Sequence, residues 1–193
     1  MTISERLEIL SQVVNDDNTA RRISQAAAFQ VIAEYKQRIF FLGLDSSGSQ
    51  IGTYSVNPFY INPLTLTTVS AGGIKPQGKP QGNNQGQTVF KNGNPHKTKY
   101  LADGYKELRK LTGREDSKVD LNFSGSLFHS IKVTESGLNS AITYTNDELA
   151  EIMEGQELRF DKEIAAVSDT ERELGETAGR NELLAILEEI DLL

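Results

Sequence analysis

Residues 119–133 read V-D-L-N-F-S-G-S-L-F-H-S-I-K-V, and this stretch decides how the rest of the chain is read. Val119, Leu121 and Phe123 alternate with Asp120 and Asn122, the period of two that predicts a half-buried strand. Ser124-Gly125-Ser126 interrupts the alternation, and Leu127, Phe128, Ile131 and Val133 restart it. Two short strands around a turn are expected, with His129 in a strand or at its edge.

Upstream, Tyr100 to Thr112 predicts a helix with Leu101, Tyr105, Leu108 and Leu111 on one face. Gly113 follows as its stop, and Lys106, Arg109 and Lys110 suit the dipole at that end. Downstream, Ser136-Gly137 predicts a turn into a strand over Ala141–Tyr144. Asp147–Gly155 has the acidic start and glycine stop of a short helix. Ser168-Asp169-Thr170-Glu171 has the spacing of a capping box. It predicts a terminal helix weakened at Gly175 and Gly179 and packed by Leu183, Leu184, Leu187 and Ile190.

Further out, Thr2–Glu5 is another capping box, followed by Ile3, Leu7, Leu10 and Val14 at helical spacing. Asn15-Asp16-Asp17-Asn18 offers N-caps for a long helix over Thr19–Phe41. Its apolar stripe comprises Ala28, Ile32, Tyr35, Ile39 and Leu42. Residues 51–63 read as extended pieces punctuated by Asn57-Pro58 and Asn62-Pro63. In Ala71–Lys97 a Gln-Gly pair recurs every four residues among Pro76, Pro80 and Pro95. That composition does not form a core, and an arm that orders on a neighbouring subunit is expected, with a disordered loop as the alternative.

The resulting expectation is an α+β fold: a small antiparallel sheet packed on a long helix, with a long Gly/Gln-rich arm and a C-terminal helix. It is expected as one structural domain over 1–193, divided into a helical part (1–42), an extended segment with the arm (43–98), and a helix, sheet and C-terminal helix (99–193). No apolar run approaches the ~20 residues of a membrane span, and M-T-I-S-E-R has no signal-peptide h-region. Synthesis in the cytosol and no membrane partner are therefore expected.

The net charge of −7 is unevenly placed. Asp147–Leu193 holds 15 acidic and 4 basic residues, a net of −11, and the first 146 residues hold 12 acidic and 16 basic, a net of +4. One basic and one acidic end suit oriented docking. The basic residues between Lys97 and Lys118 are diluted by Asp103, Glu107, Glu115 and Asp116, which reads as an exposed mixed-charge face rather than a nucleic-acid site.

Catalytic, cofactor-binding and metal-binding residue sets are each read as none. There is no Cys, so no disulfide, zinc finger or thiol nucleophile. His96 and His129 stand far apart in unlike contexts. Asp45-x-Ser47-x-Ser49 lacks the carboxylates and bidentate Glu of a calcium loop. Ser124-Gly125-Ser126 lacks the G-x-S-x-G frame of a nucleophile elbow, and Gly72-Gly73 is not part of a phosphate-binding loop. A structural protein, not an enzyme, is the expectation.

Leu121-x-x-Ser124-Gly125-x-Leu127-x-x-Ser130-Ile131 resembles the L-x-x-S-G-x-L-x-x-S-I strand of the tailed-phage virion-morphogenesis family, the head–tail joining, neck and tail-completion proteins. Tyr105–Arg109 ahead of Thr112-Gly113-Arg114 is similar to that family's helix before the strands. Ile142–Tyr144, Ala150 to Gly155, Arg159-Phe160 and Ser168–Glu171 follow in the family's order, without the proline of its R-P-F run. The likeness spans roughly Lys99 to Glu173. It implies a structural virion protein, made in the host cytoplasm, that forms a homo-oligomeric ring in the head–tail connector or neck, or at the tail end. Its implied partners are portal, adaptor and tail proteins, with DNA passing through the lumen without sequence-specific binding. On that reading the acidic last 47 residues, Glu188, Glu189 and Asp191 among them, face the lumen or an adjoining ring and let DNA slide. Another oligomeric virion component (tail tube or scaffold) and an enzyme of an unrecognised family are the alternatives.

Overall fold

The computed structural model describes residues 2–61, 88–91, 94–97, 99–122 and 124–190. Six α-helices and three antiparallel two-stranded pairs are found among the described residues. In chain order they are α1 (Ile3–Val14), α2 (Asp17–Lys36), a π-helical turn (Gln37–Leu42), β1 (Phe59–Ile61), β2 (Thr88–Lys91), β3 (Asn94–Lys97), β4 (Lys99–Leu101), α3 (Gly104–Leu111), α4 (Ser126–Ser130), β5 (Ile131–Ser136), β6 (Asn139–Tyr144), α5 (Asp147–Phe160) and α6 (Asp169–Glu189). The chain divides into two compact units, one formed by Met1–Ser49 with Gly125–Leu193 and the other by Gln50–Ser124.

In the first unit a small antiparallel sheet packs on a long helix, as the sequence predicts. Hairpin β5–β6 pairs Ile131 with Tyr144 and Ser136 with Asn139. It rests on α2, where the Ser140 amide donates to Ser24 Oγ at 2.7 Å and the Tyr35 and Tyr144 hydroxyls meet at 3.4 Å. Asp16 caps α2 by accepting from the Thr19 amide. Lys36 ends its α-helical part, and the next six residues widen into the π turn that carries Arg38, Ile39 and Phe40 inward. Gly43, at φ 69°, closes it in the left-handed region that glycine adopts most readily.

Helix α6 lies antiparallel along α2, with Gly175 against Val31 and Ala27 and Gly179 against Ile23 and Ala27. A Cβ on Gly175 would stand 2.5 Å from Val31 Cγ2. The sequence marks these glycines as weak points of the helix, and the structure places both at its contact with α2. They let two helices approach closely, and α6 runs unbroken through both. Leu183, Leu187 and Ile190 are half-buried as expected, but Leu184 is exposed and Ile186 is the buried member of that face. Gly155 does not stop α5 either. The helix continues to Phe160 and ends at Asp161, which takes a left-handed φ of 51°.

The second unit has its core in Ile61, Leu101 and Leu108, with Phe59, Tyr105 and Leu111 against them. Strands β1 and β4 pair Phe59 with Leu101 and Ile61 with Lys99. Tyr100 and Leu101, expected to begin a helix, are therefore in a strand, and the helix starts at Gly104. A Cβ there would stand 2.3 Å from the Asn57 carbonyl oxygen, so only glycine admits this crossing. Residues 71–87, 92 and 93 of the expected Gly/Gln-rich arm lie outside the described residues. Thr88–Lys91 and Asn94–Lys97 form the β2–β3 pair.

The quoted stretch folds differently from its alternation. Val119–Asn122 is not a strand, and Ser126–Ser130 is a short helix that enters β5 only at Ile131. His129 therefore sits on a helix, not in a strand or at its edge. The cause is Arg109, which gathers the chain around its guanidinium by donating to both Asp120 carboxylate oxygens at 2.7 and 2.9 Å and to the Asn122 carbonyl at 3.1 Å. Leu121 takes a left-handed φ of 49° between them. A strand would carry these acceptors away from the arginine.

Candidate functional site

Each unit is built around one buried arginine, and neither arginine is free for chemistry. Arg38 follows the end of α2 and meets Glu171 on α6, Nε to Oε1 at 2.6 Å. Its remaining donors reach the carbonyls of Leu44, Ile164 and Ala166. Glu171 does two jobs, because its Oε2 also accepts the Ser168 amide in the capping box of α6. In the other unit Arg109 is 1% exposed. It adds the Glu115 carbonyl and the Tyr54 ring, 4.4 Å from its Cζ, to the acceptors already named. A buried guanidinium held by a carboxylate and by several carbonyls ties together the segments that supply them.

The remaining polar groups of interest also turn inward. Asp45 Oδ1 accepts from the Ser47 and Ser49 amides and the Ser47 hydroxyl, at 3.0, 2.9 and 2.7 Å. Lys162 pairs with its Oδ2 at 3.1 Å. Burial pushes this carboxyl up, but the Ser47, Lys162 and Ser49 hydrogen bonds outweigh it and hold it below its ordinary 3.8. Asp45-x-Ser47-x-Ser49 is thus a self-satisfied turn. Burial, with Tyr144 beside it, pushes the Tyr35 phenol well above its usual range; burial does the same for Tyr54. Both act as packed rings. Among the described residues no group of three or more His, Asp or Glu is arranged to hold a metal ion, and no helix is long and apolar enough to cross a membrane. His129 is exposed on α4 and His96 belongs to β3, so the two histidines fall in different units.

What remains on the surface is charge and apolar area. Gln50–Ser124 carries 10 basic and 5 acidic residues, a net of +5. The other unit holds the remaining 10 basic and 22 acidic, a net of −12. Part of the acidic C-terminal charge is used within the fold: Arg22 on α2 bonds Glu189 at 2.9 Å and Glu182 at 2.8 Å, and Glu189 is held below the usual carboxylate range by that arginine. Glu188 is exposed, and Asp191 lies outside the described residues.

Helix α1 buries none of its residues, with Ile3 80% and Val14 61% exposed. A helix of 12 residues is marginal in water without a packed face. On α5, Leu158 is 85% exposed and Ile152 47%. Near the end of α2, Phe41 is 56% exposed beside Phe128, with Phe40 buried beneath. Sequence reasoning foresaw the apolar stripe of α1 but assigned no partners to either arginine and did not anticipate this aromatic group. An arginine directly before Ile39-Phe40-Phe41 is the signal that was available. No protein-family model, curated protein or solved structure matches the chain.

Proposed function

We propose that the chain is a structural virion protein of a tailed phage, a ring-forming component of the head–tail connector or neck, or of the tail end, through which DNA passes. The carrying observation is the apolar surface left open on helices, foremost the stripe Ile3, Leu7, Leu10 and Val14 of α1, which needs a partner to be covered. Such faces on helices mark contact with other polypeptides. The resemblance between Leu121 and Ile131 directs that general reading to virion assembly, although its residues span a loop, a short helix and the start of β5 instead of one strand. The hairpin on a long helix supports it, since a stiff two-layer body suits side-by-side repetition. Opposite net charges on the two units support it too, since complementary charge steers association.

The test is native mass spectrometry and negative-stain imaging of the purified protein, alone and with portal and tail proteins of its phage. Closed rings of one discrete copy number are expected, and the protein is expected in purified particles between head and tail or at the tail end. Monomers under every condition, or absence from the particle, would overturn the reading.

A further inference from the structure

Around Phe128 the acidic unit carries a cationic and aromatic patch. Lys36 Nζ stands 4.6 Å over the Phe128 ring. Phe40 and Phe41 meet the same ring edge-on, with centroids at 5.4 and 6.1 Å, and His129 does so at 5.2 Å. Lys132, which follows Ser130 and Ile131, is exposed on β5. Neither lysine forms an ion pair among the described residues. Burial and the nearby charge of Lys132 lower the pKa of Lys36, which is the signature of a cation without a counter-ion. A unit of net −12 thus leaves two adjacent lysines uncompensated beside open aromatic area.

Helix α5 offers the complement. Met153 is buried, and the opposite face presents Glu148, Glu151, Ile152, Gly155, Leu158 and Arg159 to the outside, with the Arg159 guanidinium drawn over the Phe160 ring at 5.3 Å. Glu148, Glu151 and the flanking Glu154 are exposed, and none is in an ion pair among the described residues. A Cβ on Gly155 would meet nothing within 4 Å. A glycine inside an exposed helix costs about 1 kcal/mol against alanine, and here no contact within the chain offsets that cost. It leaves a notch between two exposed apolar side chains.

We propose that the Lys36–Phe128 patch of one copy seats helix α5 of a second copy, in a contact repeated head to tail. Phe41 and Phe128 meet Ile152 and Leu158, the notch at Gly155 admits a ring edge, and Lys36 and Lys132 take Glu151 and Glu154. The two surfaces are unlike, so the contact is heterologous, the kind that closes into a ring. This inference rests on the ring reading above and names the contact that reading requires.

The experiment compares the wild type, the variant K36E/K132E, the variant E151K/E154K and their equimolar mixture by native mass spectrometry and sedimentation. The wild type is expected to assemble. Each variant alone faces like charge with like and should associate at least ~100-fold more weakly, because like-charge juxtaposition costs several kcal/mol. In the mixture every contact joins opposite charges, so assembly should return. If the variants assemble as the wild type does, or the mixture stays monomeric, this contact is wrong and the ring reading survives. Should the wild type itself remain monomeric even with portal and tail proteins, the ring reading falls and this contact with it. Carbodiimide cross-linking of a mixture of isotopically light and heavy wild-type protein needs no variant. Links from Lys36 or Lys132 to Glu148, Glu151 or Glu154 of another copy are expected, and intermolecular links confined to other residues would overturn the contact.

Discussion

Helices α5 and α6 are written in similar residues and used in opposite ways. Both open on a polar cap and an acidic first turn, and both carry glycine in their interior. In α6 the glycines face α2 and a Cβ would collide, whereas in α5 the glycine faces open space. The cap glutamate of α6 reaches a buried arginine, while Glu148 at the start of α5 is exposed. One helix is anchored inside the chain, and the other keeps an apolar and acidic face outward. A residue pattern alone does not separate these uses; the neighbour does.

The largest effect should come from the anchored side. Glu171→Ala removes the partner of a buried arginine together with a helix cap, and a loss of about 3–5 kcal/mol is expected in urea unfolding. Asn146→Ala removes the cap of α5, whose side chain accepts the Glu148 amide at 2.8 Å, and should cost only about 1 kcal/mol. Equal losses would show that the two helix starts carry the same weight and would break the comparison.

Gly175→Ala comes next. Its Cβ would press on Val31 Cγ2 at 2.5 Å and on the Ala27 carbonyl at 3.3 Å, so overpacking should destabilise by about 1–3 kcal/mol. Circular-dichroism melting measures it, and an unchanged Tm would mean that α2 and α6 part easily.

The end of α5 is tied down by Asp45, and pH reports on that tie. The folded carboxyl lies below its ordinary value. Its contribution is therefore present above the unfolded value near pH 4 and is lost as pH falls through the folded one. Asp45→Asn should cost about 1–2 kcal/mol at pH 7 and flatten the acid side of the stability curve below about pH 4. Parallel curves for the two proteins down to pH 2 would contradict this.

How much of this was legible follows from the range of the forces. Caps are local, and Thr2, Asp16 and Ser168 were readable because donor and acceptor lie within three residues. Ala28, Ile32, Tyr35 and Ile39 of the expected stripe and the strand at 141–144 were readable from period, but Leu42 is exposed because the helix widens into a π turn after Lys36. What failed was set by distant partners. Val119–Asn122 alternates like a strand but bends around Arg109, and no period encodes an arginine 11 residues before Asp120. Gly175 and Gly179 read as weakness because Val31, Ala27 and Ile23 stand more than 140 positions away. The candidate patch was invisible for the same reason: Lys36 and Phe128 meet only after folding.

Gly155→Ala should have the smallest effect on stability and the sharpest meaning. The added methyl meets nothing within 4 Å in the single chain, and alanine is the better helix former. The isolated protein should gain about 0.5–1 kcal/mol. If the notch seats an aromatic ring of a neighbouring copy, the same methyl fills it, and association should weaken while the melting temperature rises. Opposite signs from one methyl group distinguish a surface kept open for a partner from one that is merely unoccupied. Measuring Tm at concentrations below assembly, and copy number above it, separates the two effects. A gain in stability with assembly intact would place Gly155 outside the contact and leave α5 with no more role than any solvated helix.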